Sequence, residues 1–513
     1  MTAPSASLKQ QIWRRRPVTG APVAHGASDH LKRSIGTFQL TMFGVGATVG
    51  TGIFIVLQQA VPKAGPGVIV SFILAGVAAG LAAICYAEMA SAVPVSGSTY
   101  SYAYTTMGEM VAMGVAACLL LEYGVSMSAT AIGWSGYLNQ LLNNLFGFQI
   151  PHALSAAPLG SDNPGIVNLP AMILIVMCAL LLIRGASESA VVNTVMVIIK
   201  LGVLALFVAV AFTAFTTDHF AGFWDKGFWG ITGAAGTIFF TFIGLDAVST
   251  AGDEVKNPQK TMPRAIIGAL IVVTFIYVLV AIAGLGTQSA DEFGSDEQSE
   301  AGLAVILTNI LHGQTWASTI LSLGAVISIF SVTLVVMYGQ TRILFAMGRD
   351  GLLPSMFAKV NPRTMTPVNN TIIVAAVTGI LAGFVPLDYL WDLVSIGTLV
   401  AFIVVSIGVV ILRVREPDLP RSFKVPGYPV TPVLSVLACL LVLFTLPPIT
   451  WLWFTLWVSA VLIFYLAWSR RHSALNAGGA DGYIPTAVPG DDDVMFVEEP
   501  ADHHFVTKHK DEP

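Results

Sequence analysis

A glycine-rich stretch in the first long apolar segment carries backbone groups that can bind a charged solute. Residues 43–54 read FGVGATVGTGIF. Glycines packed this densely at mid-depth in a membrane favour an unwound turn, provided that protein or a watered cavity covers it. Such a turn presents amide N–H groups at the start of the next half-helix, where the dipole favours a carboxylate, and carbonyl groups that accept from an ammonium. The stretch therefore suits the head group of an amino acid. The alternative is that the glycines only let two straight helices approach closely.

A lysine lies near the centre of another apolar segment, residues 189–212. A lone ammonium there costs at least about 2.5–3.5 kcal/mol on insertion scales, and Lys200 is too far from either end of the segment to reach water. Burial favours the neutral form of a lysine, which brings its proton within reach of physiological pH. We therefore predict that Lys200 carries a proton during function. The alternative is a permanently paired structural lysine.

Three carboxylates, Glu88, Glu122 and Asp246, also fall inside apolar segments. An ionisable residue at such depth faces the interior of the helix bundle or a cavity. Glu88 and Glu122 are therefore functional candidates, and Glu122 and Asp246 are candidates for gating or coupling. The alternative for Glu88 and Glu122 is a carboxylate that neighbouring helix ends satisfy.

A second interruption is predicted in residues 234–246, which read AAGTIFFTFIGLD. Two interrupted spans, the first and the sixth, each open one half of the chain, and this spacing indicates an inverted repeat with a site at the membrane midplane. The eighth span adds Ser328 and Ser331, whose hydroxyls are further candidates for gating or coupling. Hydroxyls in membrane helices often only bond back to their own turn, which is the alternative for both serines.

The composition implies that membrane helices position these residues. Of the 513 residues, 55% are hydrophobic and 11% are charged, whereas soluble domains carry about 25% charged residues. Segments of about 20 apolar residues are long enough to cross the hydrocarbon. We therefore predict an all-α polytopic membrane protein of about twelve spans, which begin near Phe38, Gly67, Gly108, Leu169, Ala190, Trp229, Ala265, Thr315, Thr371, Leu390, Pro432 and Trp451.

The loops between these spans predict the orientation, because Lys and Arg near span ends are held on the cytoplasmic side. With the N-terminus inside, nearly all basic residues after the first span fall in alternate, inner loops, and the outer side receives only Lys63 and Lys226. We expect a cytoplasmic N-terminal segment at 1–36 without a signal peptide, a membrane domain at 37–470, and a disordered acidic cytoplasmic tail at 471–513.

Several other function classes lack their motifs in this sequence. The four cysteines lie in apolar segments without a CxxC pair, which predicts neither a disulfide nor a metal site. Residues 46–52 lack the Gly-Lys-Ser/Thr of a phosphate-binding loop, and there is no Gly-x-Ser-x-Gly nucleophile motif. We expect no enzymatic activity, no cofactor, no metal and no nucleic acid partner.

Separated motifs between about residues 31 and 468 resemble the cationic amino acid transporter branch of the amino acid, polyamine and organocation superfamily, in its bacterial form. They are GTGIF at 50–54, FIGLDAVST at 242–250, EVKNP at 254–258, QTR at 340–342 and GRDGLLP at 348–354. The resemblance implies a leucine-transporter-type fold, with two inverted five-helix repeats and two further helices, that works by alternating access.

The resemblance also implies roles for individual residues. In that family the substrate carboxylate meets amides of the unwound first helix, here Val49, Gly50, Thr51 and Gly52. The substrate ammonium meets carbonyls of both broken helices, which map to Thr48, Phe240, Thr241 and Ile243. An aromatic of helix six, here Phe240, caps the substrate. Proton-coupled bacterial members have a helix-five lysine at the position of Lys200, where sodium-coupled relatives hold a cation between helices one and eight.

Three positions depart from the family pattern. Leu245 stands where phenylalanine is usual, Gly252-Asp253 replaces a more common Ala-Glu, and Thr48 is polar where an aliphatic residue is usual. Thr48 affects the size or polarity of the pocket, so cationic and small neutral amino acids both remain open as substrates. The overall prediction is a secondary active transporter that moves amino acids across the plasma (inner) membrane by proton-coupled symport. The alternative is an amino acid exchanger or facilitator in which Lys200 is structural.

Overall fold

The computed structural model describes residues 11–16, 35–93, 98–159, 164–185, 190–246, 248, 255–293, 301–361, 364 and 366–476. Across these ranges the chain is helical, and the only β pairing is two isolated bridges, Ile35 with Val255 and Asn361 with Thr366. Most of the predicted N-terminal segment, the motif residues 249–254 and the tail from residue 477 lie outside the described residues.

In the described residues, fifteen α-helices of nine or more residues carry the architecture, and two shorter ones lie at His152–Ser155 and Arg470–His472. The first seven are α1 (Thr37–Thr48), α2 (Thr51–Ala64), α3 (Val68–Ala92), α4 (Ser98–Thr106), α5 (Glu109–Phe146), α6 (Leu169–Ile183) and α7 (Ala190–Ala211). The next eight are α8 (Gly227–Phe239), α9 (Pro258–Thr287), α10 (Gly302–Ile310), α11 (Trp316–Arg349), α12 (Val368–Phe384), α13 (Leu387–Arg415), α14 (Val430–Leu443) and α15 (Pro448–Phe464).

The helices have the length and composition of membrane spans. In the described part of the chain, seven helical stretches are long and apolar enough to cross a membrane, and four shorter apolar helices accompany them. The longest stretch, Thr51–Ala92, contains both α2 and α3. The chain is thus a multi-pass helical membrane protein, as the composition predicts. The count of about twelve crossings and the inverted repeat stay predictions.

Helix packing follows the sizes of the side chains. The interior face of α3 is rich in alanine, with Ala75, Ala78, Ala79, Ala82 and Ala83 all buried, and α3 lies along α9. Small residues let membrane helices approach closely, which maximises van der Waals contact where lipid provides no hydrophobic driving force. By contrast, α15 exposes a broad apolar surface that includes Leu452, Trp453 and Leu456, as expected for a helix at the lipid boundary.

The first span is interrupted within the predicted glycine-rich stretch. Helix α1 ends at Thr48, and α2 begins at Thr51. Between them Val49 has φ −76° and ψ 80°, and Gly50 has φ −114° and ψ −151°, so neither residue is helical. The N–H of Gly50 donates to the carbonyl of Thr48 (2.9 Å) and leaves the regular hydrogen-bond pattern of the helix.

The second interruption follows α8 and lies against the first. A 3₁₀ turn at Phe240–Phe242 is followed by extended backbone at Ile243 (φ −65°, ψ 144°) and by Gly244 at φ +98°. A Cβ atom on Gly244 would lie 2.6 Å from the carbonyl oxygen of Ala47, so the contact and the positive φ both require glycine there. The second interruption therefore touches the end of α1, directly before the first interruption.

Candidate substrate site at the two helix interruptions

The start of α2 provides backbone donors for an anion. The first N–H groups of an α-helix have no acceptor inside their own helix, and the N-cap residue here, Gly50, has no side chain to cap them. Thr51, which follows it, is 1% exposed. The positive end of the α2 dipole thus faces the interruption, inside the protein, where it favours a carboxylate.

Not all four predicted amides are equally placed. The N–H of Val49 donates to the carbonyl of Val45 (2.8 Å), and the N–H of Gly50 donates to that of Thr48 (2.9 Å). Thr51 and Gly52 occupy the first turn of α2, so their N–H groups have the geometry of an anion site. Whether Val49 and Gly50 take part in binding therefore depends on a rearrangement of the turn.

Carbonyls of the two interruptions converge on one hydroxyl. The Oη of Tyr277, on α9, lies 3.0 Å from the carbonyl oxygen of Thr48 and 2.9 Å from that of Thr241. A hydroxyl has one hydrogen, so it donates to one of these carbonyls at a time, and each carbonyl keeps a second lone pair. Two carbonyls that approach one small group in this way form a site that also suits an ammonium.

The turn that follows α8 is covered by aromatic rings. The ring of Phe240 meets the indole of Trp391, on α13, edge to face, with centroids 4.2 Å apart and planes at 66°. Phe240 is 5% exposed and Trp391 is 2% exposed. The Thr241 hydroxyl donates to the carbonyl of Ile238 (2.7 Å), while Ile243 is only partly buried. The predicted cap Phe240 is therefore held against a second aromatic residue.

The threonines of the first interruption use their hydroxyls locally. Thr48 Oγ1 donates to the carbonyl of Gly44 (2.8 Å), one turn back in α1. Thr51 Oγ1 donates to the carbonyl of Thr130 on α5, at 3.3 Å. The hydroxyl of Thr48 is thus engaged within its own helix, and this bond accounts for a polar side chain at a position where aliphatic residues are usual.

Lys200 binds the first broken helix directly. Its Nζ donates to the carbonyl of Gly46 (2.8 Å), and the residue is 1% exposed. Gly46 lies in the last turn of α1, where the helix dipole favours a cation. Ser328 and Ser331 are buried on α11, which packs against both α7 and α1. Lys200 therefore lies against the end of α1, and its role in proton transfer stays a prediction.

The predicted acids Glu122 and Asp246 lie close enough to interact electrostatically. Asp246 accepts a hydrogen bond from the hydroxyl of Tyr123 on α5 (2.8 Å), and Glu122 is the preceding residue of that helix. Thr398 on α13 neighbours the Glu122 carboxyl group. Three segments therefore meet around this pair, near the end of the second interruption.

Comparison with known proteins identifies the family. Residues 35–467 match the amino acid permease family. The chain belongs to this family. The permease is 41% identical over 470 residues to the branched-chain amino acid permease BcaP of Bacillus subtilis (strain 168), which covers 91% of this chain and 100% of that protein. It is 42% identical over 466 residues to the methylthioribose transporter of the same organism, covering 91% and 99%.

More distant relatives agree with the family assignment. The permease is 36% identical over 427 residues to cationic amino acid transporter 2, vacuolar, of Arabidopsis thaliana. The alignment covers 81% of this chain and 65% of that protein. These relatives are permeases and transporters, so the predictions of a permease of this superfamily and of a protein that is not an enzyme are confirmed.

Glu88 has a structural environment in the permease. Its carboxylate accepts hydrogen bonds from Arg413 Nε (2.7 Å) and Nη2 (2.5 Å), and from the N–H of Val425 (2.6 Å). The Arg413 guanidinium also lies over the Tyr428 ring, 4.2 Å from its centroid. These contacts join α3 to the end of α13 and the loop after it. They favour the alternative considered for Glu88, a carboxylate that neighbouring segments satisfy.

Sequence reasoning missed Tyr277 and Trp391. Each is an aromatic residue in a membrane helix with another aromatic residue two positions before it, a pattern that normally indicates packing. The distances that give them importance join helices far apart in the chain, 229 positions in the case of Tyr277 and Thr48. No local spacing in the sequence of the permease carries that signal.

Proposed function

We propose that the permease is a secondary active transporter that moves an amino acid through the membrane by alternating access. The observation that carries this proposal is the convergence of the uncapped start of α2 with the Thr48 and Thr241 carbonyls at Tyr277. The substrate carboxylate binds the N–H groups of Thr51 and Gly52, joined by those of Val49 and Gly50 when the turn rearranges. The ammonium binds the carbonyls of Thr48, Phe240, Thr241 and Ile243, and Phe240 caps the substrate.

The proposal includes the predicted architecture. About twelve spans form two inverted five-helix repeats with two further helices, in the plasma membrane, and both termini face the cytoplasm. Support comes from the interruptions after α1 and α8, which each open one half of the chain. Epitope tags at either terminus should be accessible only after permeabilisation, and a tag that labels in intact cells would refute this topology.

The substrate is an amino acid with an uncharged side chain, and amino acids with branched aliphatic side chains are the first to test. Support comes from the similarity to a branched-chain amino acid permease over 91% of the chain. The aromatic surface of Phe240 and Trp391 also suits an apolar side chain. A second candidate is methylthioribose, because a transporter of that compound is similar over the same share of the chain. Labelled valine and labelled methylthioribose, each competed with the other, discriminate between the two.

Transport is coupled to protons through Lys200. In the charged state the ammonium holds the carbonyl of Gly46 (2.8 Å), and loss of the proton weakens that bond, because charge-assisted hydrogen bonds are stronger than neutral ones. Gly46 is two residues from Thr48, whose carbonyl belongs to the proposed ammonium site. Protonation of Lys200 therefore changes the stability of the α1 end that binds substrate.

Uptake by purified protein in liposomes tests the coupling. Parent protein should accumulate substrate when an inward proton gradient is imposed, and Lys200→Ala should lose this accumulation while the protein stays folded. Lys63→Ala is the matched control, because Lys63 is exposed and its Nζ bonds only a side-chain hydroxyl, Thr237 Oγ1 (2.8 Å). If Lys200→Ala accumulates substrate as well as the parent, the coupling role is wrong. Strict dependence on internal amino acid with no response to pH would instead favour an exchanger in which Lys200 is structural.

A further inference from the structure

One face of α13 carries a line of polar side chains beside the candidate site. Trp391, Ser395 and Thr398 are spaced four and three residues apart, so they lie on the same face of the helix. Trp391 packs on the ring of Phe240, and Thr398 neighbours the Glu122 carboxyl group. The line therefore runs from the proposed substrate cap to the acid pair.

Two atoms of this line are buried without a hydrogen-bond partner. Within the described residues, neither Trp391 Nε1 nor Ser395 Oγ has a donor or acceptor in range, although the two residues are 2% and 0% exposed. Nearly all buried polar atoms in native proteins are paired, and an unpaired one is strongly unfavourable. A ligand or an ordered water that arrives at this face would satisfy both.

Two other tryptophans and one other serine of the helix bundle show how such groups are satisfied. Trp134 Nε1 donates to the carbonyl of Val326 (3.0 Å), and Trp457 Nε1 donates to that of Ala117 (2.9 Å). Further along α13 itself, Ser406 Oγ donates to the carbonyl of Phe402 (2.9 Å).

Three other buried serines, Ser135, Ser322 and Ser328, also lack a partner within the described residues. Trp391 and Ser395 differ from them in their place, because Trp391 packs on the proposed cap Phe240 and Ser395 lies one turn away on the same face of α13.

We propose that Trp391 Nε1 and Ser395 Oγ form a polar subsite for the substrate's side chain and bind a hydrogen-bond acceptor on it, directly or through one water. This inference rests on the proposed function, because it places the side chain of the substrate beside Phe240 and α13. An indole N–H only donates, so the subsite selects an oxygen such as a hydroxyl or a side-chain amide. Ammonium and guanidinium groups have no acceptor and would leave the indole N–H unpaired. An aliphatic side chain such as that of valine also leaves the indole N–H unpaired, but it brings no charge into the buried site. The expected substrates are therefore neutral amino acids, with a preference for short side chains that carry an oxygen.

Valine and threonine provide the sharpest comparison, because they differ by a methyl group in place of a hydroxyl. Liposomes that contain the parent protein take up labelled valine, and unlabelled valine or unlabelled threonine is added as the competitor. We expect Trp391→Phe, which keeps an aromatic ring on Phe240, to weaken threonine competition about threefold to tenfold, the range for one lost hydrogen bond. Valine competition should change by less than about twofold. Ser395→Ala should also weaken threonine competition more than valine competition, and it replaces Trp391→Phe in the test if that variant does not fold.

Matched controls separate selectivity from stability. Trp134→Phe and Ser406→Ala remove groups that have partners, so they should lower stability without changing the ratio of threonine to valine inhibition. The proposal is overturned if the ratio stays at the parent value in the folded variants, or if valine and threonine weaken equally. Parent liposomes that take up no valine, and no other amino acid, would instead refute the proposed function.

Discussion

Replacing Tyr277 by phenylalanine tests whether the two interruptions act as one site. The substitution keeps the ring, which packs edge to face against Phe72 and Phe242 with centroids 6.4 Å and 5.4 Å away. It removes only the hydroxyl that lies 3.0 Å from the Thr48 carbonyl and 2.9 Å from the Thr241 carbonyl. The change is therefore confined to the point where the two unwound segments meet.

The expected magnitude follows from the hydrogen-bond count. One hydroxyl hydrogen makes one hydrogen bond at a time, so the net loss is about 0.5–1.5 kcal/mol. A buried carbonyl left without a donor raises the loss to about 1–3 kcal/mol. A bound ammonium would supply the missing donor, but its binding would then also have to fix the positions of both carbonyls, which the Tyr277 hydroxyl does in the parent. We expect the apparent amino acid affinity to fall about fivefold to tenfold, corresponding to about 1–1.4 kcal/mol.

Substrate-dependent thermal stabilisation and competition uptake, measured on the same preparations, provide the assay. Tyr137→Phe is the matched control, because its hydroxyl is also buried and donates to one backbone carbonyl, that of Phe54 in α2 (2.7 Å). Both variants should lose stability without substrate, and only Tyr277→Phe should lose affinity. Equal affinity loss in both variants, or parent affinity in Tyr277→Phe, would refute the reasoning that Tyr277 organises the binding carbonyls.

Two further substitutions test the packing around the site and the ion pair at Glu88. Gly52→Ala would place a Cβ atom 2.9 Å from Thr241 Cγ2 and 3.0 Å from its Cα, so the two segments must separate at a cost of about 1–3 kcal/mol, and uptake should fall at least about fivefold. Gly114→Ala, with nothing within 4 Å of the added Cβ atom, should keep parent uptake. Arg413→Met removes the closer partner of the Glu88 carboxylate, 1% exposed, which keeps only Arg421 Nε at 3.6 Å, and should lower the free energy of unfolding by about 1.5–3 kcal/mol. Glu88→Leu combined with Arg413→Met should recover part of that loss in a denaturation assay, because Arg421 then loses its carboxylate. An unaffected Gly52→Ala, or a double variant as unstable as Arg413→Met, would contradict these expectations.

The sequence allowed the interrupted spans and the burial of Lys200 to be predicted because both signals are local. The four closely spaced glycines among residues 44–52 interrupt one helix, and a charged side chain in the middle of an apolar segment must face the protein interior. The carbonyl that Lys200 binds was not predicted, because Gly46 lies 154 positions away; the resemblance gave only a position between helices one and eight. No such local signal marks Tyr277, Trp391 or Ser395, because the role of an aromatic or hydroxyl side chain in an apolar helix depends on which helix it contacts. The ion pair between Arg413 and Glu88 could not be predicted either, because these residues are 325 positions apart.

A short covalent and hydrogen-bonded path joins the proposed proton site to the proposed ammonium site. Lys200 holds the carbonyl of Gly46, and two residues later the carbonyl of Thr48 shares the Tyr277 hydroxyl with Thr241. Close contact between Gly244 and Ala47 means that the end of α1 cannot shift without moving the second interruption as well. A change in the charge of Lys200 is therefore expected to alter both halves of the site together, without any signal having to cross the rest of the bundle.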